Sequence, residues 1–190
     1  MTKGMYHHLR QAWKKPDMAV LRQRMIAWRA GNSITEVEKP LRLDRARALG
    51  YKAKKGFFVA RVKILRGGRK RTRPKKGRRS KRMTNRKTLK MNYQWVAEQR
   101  AEKKYPNLVV LNSYMIGKDG IHYFYEVILV DPQRPEIKND PVINWISKPE
   151  NKNRAMRGIT SAARKSRGLR KKGPELKVRP SLRAHDRKGK

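Results

Sequence analysis

Between Arg66 and Lys90 the chain carries fourteen Lys or Arg and no acid, RGGRKRTRPKKGRRSKRMTNRKTLK. Gly67, Gly68, Pro74 and Gly77 interrupt any regular element there. So little apolar surface cannot offset the entropy of ordering, and the stretch is predicted to be disordered alone in water. Any domain must therefore be assembled from what lies on either side of it. The whole chain repeats the imbalance, with 52 Lys plus Arg against 14 Asp plus Glu and a net charge of +38 in 190 residues. A field of that size repels itself and adheres to polyanions, of which nucleic acid is the densest.

A membrane is the weaker alternative partner. No apolar run approaches the roughly 18–20 residues that span a bilayer. Met1 to Arg10 has no apolar stretch of the secretory kind. The basic segments lack the large apolar residues of an interfacial helix. The chain has no cysteine, which excludes disulfides, thiolate-bound zinc and thiol chemistry and fits the cytosol.

The apolar residues gather in the middle of the chain. Asp17 is placed to cap a helix on which Met18, Leu21, Met25 and Trp28 share one face, with Gly31 as its stop. A short helix is expected from Asp44 to Leu49. Phe58, Ala60, Val62 and Ile64 alternate with Val59, Arg61 and Lys63, the period of a half-buried strand. After the basic stretch a helix is expected around Lys90 to Lys104, with Leu89, Tyr93, Val96, Ala97 and Ala101 on one face. Leu108–Ile116 and Ile121–Val130 read as a hairpin joined through Gly117-Lys118-Asp119-Gly120. A last short helix is expected from Thr160 to Arg167. There is no internal repeat. These elements predict an α+β fold, a small mixed or antiparallel sheet with packed helices, plus long basic extensions that order on RNA. The organisation expected is an N-terminal helical arm (1–50), a core (57–65 and 89–132) built on Val62, Ile64, Val96, Val110 and Val127, a basic insertion (66–88) and a basic C-terminal extension (133–190).

The candidate RNA-binding residues of the insertion are Arg66, Gly67, Gly68, Arg69, Lys70, Arg71, Arg73, Lys75, Lys76, Arg78, Arg79, Lys81, Arg82, Arg86 and Lys87. Glycine lets backbone approach phosphate closely, and arginine forks two bonds onto one phosphate or stacks on a base. From Asn151 to Lys190 there are fifteen more Lys or Arg against Glu175 and Asp186. The candidates there are Arg154, Arg157, Arg164, Lys165, Arg167, Arg170, Lys171 and Lys172. Two basic arms around one small core suit a folded RNA with crevices on several sides. An architectural DNA-binding protein is the first rival, but no helix-turn-helix, zinc-finger or basic-zipper spacing is present. Trp28 reads as core; Trp13 and Tyr51 could pack or stack on bases.

An RNA-modifying enzyme is the second rival, and the motifs disfavour it. No nucleophile elbow, Walker loop or dinucleotide glycine pattern appears. His7, His8, His122 and His185 are not spaced as metal ligands. Glu126 reads as half of a cross-strand salt bridge. No catalytic residue, metal, cofactor or small-molecule substrate is expected.

Several segments, in order, resemble one known family. They are Arg42-Leu43-Asp44-Arg45-Ala46-Arg47-Ala48-Leu49-Gly50-Tyr51-Lys52-Ala53-Lys54, then Arg66-Gly67-Gly68-Arg69-Lys70-Arg71, Val110-Leu111-Asn112-Ser113-Tyr114 and Phe124-Tyr125-Glu126-Val127-Ile128-Leu129-Val130-Asp131-Pro132. Trp145-Ile146-Ser147-Lys148-Pro149 and the run from Met156 to Leu169 continue the series. Together, from about Tyr6 to Leu169, they resemble large-subunit ribosomal protein fifteen of the eukaryotic and archaeal type, with a C-terminal tail of archaeal length. The resemblance implies a structural, non-enzymatic protein of the cytoplasmic ribosome. Its implied partners are large-subunit rRNA and neighbouring ribosomal proteins. The last twenty residues match less well, and nothing carries over to them.

Overall fold

In a computed structural model, the residues described are 3–70, 75–78, 86–87, 89 and 91–170. Of the candidate RNA-binding residues, Arg71, Arg73, Arg79, Lys81, Arg82, Lys171 and Lys172 lie outside them. The elements run α1 (Met5–Lys14), α2 (Met18–Ala30), β1 (Ile34–Val37), α3 (Leu43–Ala48), β2 (Phe57–Leu65), β3 (Arg69–Lys70), β4 (Arg86–Lys87), α4 (Tyr93–Lys104), β5 (Val109–Lys118), β6 (His122–Val130), α5 (Pro135–Lys138) and α6 (Ser161–Ser166). Two 3-10 turns, Asn144–Ser147 and Pro149–Asn151, lie between the last two helices. The fold is α+β, around a four-stranded antiparallel sheet of order β1-β2-β6-β5.

Both faces of the sheet are covered. On one, Ala97 and Ala101 of α4 pack on Ala60, Val62, Ile64, Val110, Val127 and Leu129. On the other, Met25 and Trp28 of α2 and Ala46 of α3 pack on Val59, Tyr114, Ile116, Phe124 and Ile128. The alternation in β2 suggests only one buried face. The signal for the second is in β6, where an almost unbroken apolar run becomes buried from Phe124 to Val130. Arg61 and Lys63 do lie on the second face, but at its rim. Arg61 stacks on Trp28 at 5.2 Å, and Lys63 donates to the carbonyls of Arg29 and Gly31 at the end of α2.

Local chemistry sets the boundaries. Asp17 accepts from the Ala19 amide at 2.8 Å and caps α2. Asn92 accepts from the Trp95 amide at 2.8 Å, so α4 begins at Tyr93 rather than near Lys90. The hairpin loop is shorter than its glycines imply. Lys118 still pairs with Tyr123, and Oδ1 of Asp119 accepts from the Ile121 and His122 amides. Arg29 of α2 reaches the other Asp119 oxygen at 3.3 Å.

β1, α1 and α5 have no counterpart in the sequence reading, and neither do the two 3-10 turns or the β3–β4 pair, which falls where disorder is expected. β1 is four residues long, too short to show a period. α1 buries none of its residues. It contacts the body where Arg47 and Arg42 stack on Tyr6 and Trp13 at 5.5 and 5.0 Å. α5 belongs to residues 133–170, which run along the body: Ile137, Ile143 and Ile146 form a third apolar cluster with Val109 and Val130 at one end of the sheet.

Candidate nucleic-acid interface

The acids are turned inward or neutralised. Asp44, Glu98, Glu102 and Glu126 are buried. Asp119 meets Arg29, Asp131 meets Arg134, and Asp140 sits 2.6 Å from both Lys52 and Lys54. The two lysines hold the Asp140 carboxyl far below the usual range. Half of the 14 acids are thus buried or ion-paired, which leaves fewer free carboxylates to compete for the surface cations than composition alone implies.

Three buried glutamates join parts of the body. Glu126, in the central strand β6, accepts from the Leu41 amide at 3.2 Å and from the Tyr114 hydroxyl. Arg61 is its cross-strand partner in register, but no ion pair closes between the two among the described residues; hydrogen bonds take the place of the expected salt bridge. Glu98 of α4 accepts from Ser113 of β5 and from Thr160, the N-cap of α6. Glu102, one turn on, accepts from the Ala155 and Met156 amides at 3.3 and 2.8 Å. Burial raises the Glu98 and Glu126 carboxyls above their ordinary range, against the opposing pull of these hydrogen bonds.

Separate contacts root the two basic stretches. At the insertion, Arg66 stacks on Tyr123 at 4.9 Å. The Gly67 amide donates to the Tyr93 hydroxyl at 2.9 Å, and that hydroxyl donates back to the Gly67 carbonyl at 2.8 Å. β3 then pairs with β4, Arg69 against Lys87 and Lys70 against Arg86, so the insertion leaves and returns at one place. Lys75, Lys76 and Arg78 are exposed. At the C-terminal stretch, Trp95 donates its indole N–H to the Ala155 carbonyl at 2.6 Å and packs on Ala162 and Ala163 of α6. The Asn92 amide donates to Ser166 at 2.9 Å. Gly67, Gly68, Tyr93, Tyr123 and Tyr125 therefore share one crevice of 660 Å³ with Lys165. Burial raises the Tyr125 hydroxyl to about 12, so this side chain stays neutral.

The structure divides the C-terminal candidates. Arg164, Lys165 and Arg170 are exposed. Arg157 donates to the Lys152 and Glu150 carbonyls, and Arg167 to the Gly158 carbonyl at 2.8 Å. Arg154 donates to the Val110 carbonyl at 3.0 Å and stacks on Trp145 at 4.7 Å. Trp28 and Tyr51 are core, while Trp13 is half-buried beneath Arg42. The Tyr93–Tyr123–Tyr125 group and the two cations Arg47 and Lys52, both beside the 133–170 segment or the insertion root, went unnoticed in the sequence. The alternation of tyrosines at 123 and 125 beside Gly67-Gly68 was its only trace. Among the described residues no three His, Asp or Glu side chains are grouped to hold a metal, and no helix is long and apolar enough to cross a membrane.

Comparison with known proteins agrees with this picture. The family described as ribosomal L15, of the L15e type, matches residues 4–185. The chain is 53% identical over 196 aligned positions to the large ribosomal subunit protein eL15 of Methanospirillum hungatei, with all of both chains covered. An identity that high along the full length leaves no room for a shared fold with a different lineage: the chain belongs to the ribosomal L15e family.

Proposed function

We propose that this protein is a structural constituent of the large ribosomal subunit, which binds and stabilises folded large-subunit rRNA through Arg- and Lys-rich segments anchored on its α+β body. One observation carries the reading: the root of the insertion and the helix α6 meet in the same crevice, so two acid-poor basic stretches leave the body side by side. Residues 66–88 and the C-terminal extension, with 152–172 at its centre, neutralise phosphates where RNA helices approach each other. Tyr93 and Tyr123 fix where the insertion departs, and the buried Glu98 and Glu102 fix the start of the C-terminal stretch. The segments order on the RNA and bear their entropy cost at that step.

The chain is a member of a ribosomal-protein family and not an enzyme. In this reading its place is the ribosome in the cytoplasm. Its other neighbours are ribosomal proteins, for which the exposed Met18, Val20 and Ile26 of α2 offer apolar contact.

Sedimentation of a lysate through sucrose at moderate and then high salt tests this. Co-migration with the large subunit that survives moderate salt is expected. Migration with DNA, or retention at the top of the gradient, overturns it.

A further inference from the structure

A second crevice, of 790 Å³, opens between the end of α3 and the segment that follows α5. Its floor is apolar, formed by Leu49, Leu111, Ile143 and Ile159. One wall is the stacked pair of Trp145 and Arg154. Its rim carries Arg47, Lys52, Arg164 and Arg170, and none of the described residues that line it is acidic. Val142, 70% exposed, stands at the mouth.

This combination selects its occupant. A lone phosphate has no use for an apolar floor. A plain apolar helix has no use for a rim of cations. An unstacked nucleotide satisfies both: its base is flat and largely apolar on its faces, and the phosphates on either side are anionic. The volume lies within the range of sites that enclose a small molecule, and so admits a base with its sugar. Arg154 supports the same choice. Its Nε is buried and has no hydrogen-bond partner among the described residues, although the head is held by the Val110 carbonyl. The guanidinium thus keeps an unpaired N–H beside Trp145, over whose ring it sits at 4.7 Å.

We propose that this crevice receives a single nucleobase extruded from the rRNA, with the adjacent phosphates held by Arg47, Arg164 and Arg170. The inference rests on the rRNA-binding reading and adds a site at which the protein grips a base rather than a backbone.

The test uses the full-length chain and two oligomers of nine ribose-phosphate units. One carries a single 2-aminopurine at its centre and is abasic elsewhere; the other is wholly abasic. The ratio of their affinities is measured in the wild type, in Val142→Trp and in Ala53→Trp. Both substitutions fill the mouth from exposed positions without removing charge. The expected ratio in the wild type is about tenfold in favour of the base, with 2-aminopurine fluorescence quenched. In both filled variants it falls to about one. Because the ratio is taken within each variant, a general change in affinity cancels. A ratio of about one in the wild type overturns the inference, as does a ratio that survives in both filled variants; the crevice then belongs to a protein segment. If the abasic oligomer still binds in a salt-dependent way, the rRNA-binding reading stands regardless. Failure to bind either oligomer and large-subunit rRNA at matched salt removes both.

Discussion

Thr160 donates its hydroxyl to Oε2 of Glu98 at 2.5 Å, tying the start of α6 to the middle of α4 across 62 positions of sequence. Ser113 of β5 holds the other oxygen of the same carboxyl. Burial, partly offset by those two hydroxyls and by Arg154, raises the Glu98 carboxyl. The folded chain therefore takes up this proton at a higher pH than the unfolded chain does. Ionised Glu98 costs stability above the ordinary carboxylate range, and the cost fades as pH falls towards about 4. Glu98→Gln removes the charge; its amide oxygen accepts from one hydroxyl and its NH2 donates to the other, whose proton turns away. Its melting temperature is expected to exceed that of the wild type at pH 7, with the difference shrinking as pH is lowered to about 4. Glu98→Ala loses the bonds and leaves a void; it is expected to be less stable by about 2–3 kcal/mol near pH 4, with a smaller deficit at pH 7, where it also sheds the cost of the ionised carboxyl. Thermal melts across that range decide it; a Glu98→Gln difference that grows on acidification contradicts the assignment.

Gly158 is the hinge of the same junction. Its φ is +71°, and a Cβ placed there would lie 3.0 Å from Cζ2 of the buried Trp95 and 3.2 Å from Arg167. Gly158→Ala is expected to cost about 1–3 kcal/mol through the left-handed backbone and the contact with the indole. Urea unfolding followed by tryptophan fluorescence reads the loss. An unchanged midpoint contradicts it.

Among the described residues, Tyr93 is bonded to the insertion root through its hydroxyl, which meets both backbone groups of Gly67. Tyr93→Phe keeps the ring contact with Tyr123, at 5.1 Å between centroids. The expected loss is about 1 kcal/mol, with faster hydrogen exchange at the Gly67 amide and no change at the centre of β6. Exchange rates equal to those of the wild type at Gly67 rule out this anchoring role.

Among the C-terminal cations, exposure separates two roles. Arg164, Lys165 and Arg170 point outward, whereas Arg154 is bonded to the sheet edge. Replacing each outward residue with Ala is expected to leave the melting temperature within error. Each loss lowers the salt dependence of rRNA binding by about one phosphate contact, whatever the RNA sequence. Arg154→Ala is expected to lower stability first. Filter binding over a salt series, beside melts, separates the two patterns. An unaltered slope in the triple variant removes these residues from the interface.

How far the sequence was legible follows from the length and period of each element. β2 shows its period in the chain, the β5–β6 hairpin shows two apolar runs joined through Asp119-Gly120, and α2 shows its cap and an apolar face of which Met25 and Trp28 are buried and Met18 is exposed. Asn92 was available as a cap for α4, but the basic residues before it obscured the start. Glu98 and Glu102 could not be read as buried. They look like the exposed acids of any surface helix until residues 155–160 are folded over them. Ile137, Ile143 and Ile146 are too widely spaced to mark a segment as core, and three isoleucines set between prolines, lysines and acids resemble a loop. The 790 Å³ crevice is invisible for the same reason: its walls come from four stretches far apart in sequence. Basic arms, by contrast, are legible from charge alone, because their signal does not depend on any contact.

β3 and β4 bring positions 70 and 86 together at the rim of the body. The distance that the rest of the chain must bridge between β2 and α4 is thereby independent of how many residues lie between those two positions. Closing a longer loop there costs only about 0.6 kcal/mol for each doubling of its length. The insertion can lengthen, shorten or change its composition over generations without disturbing the packing of the sheet. The body and its basic insertion are thus separately evolvable, one under selection for a fixed shape and the other, on the proposed reading, free to follow the contour of an RNA.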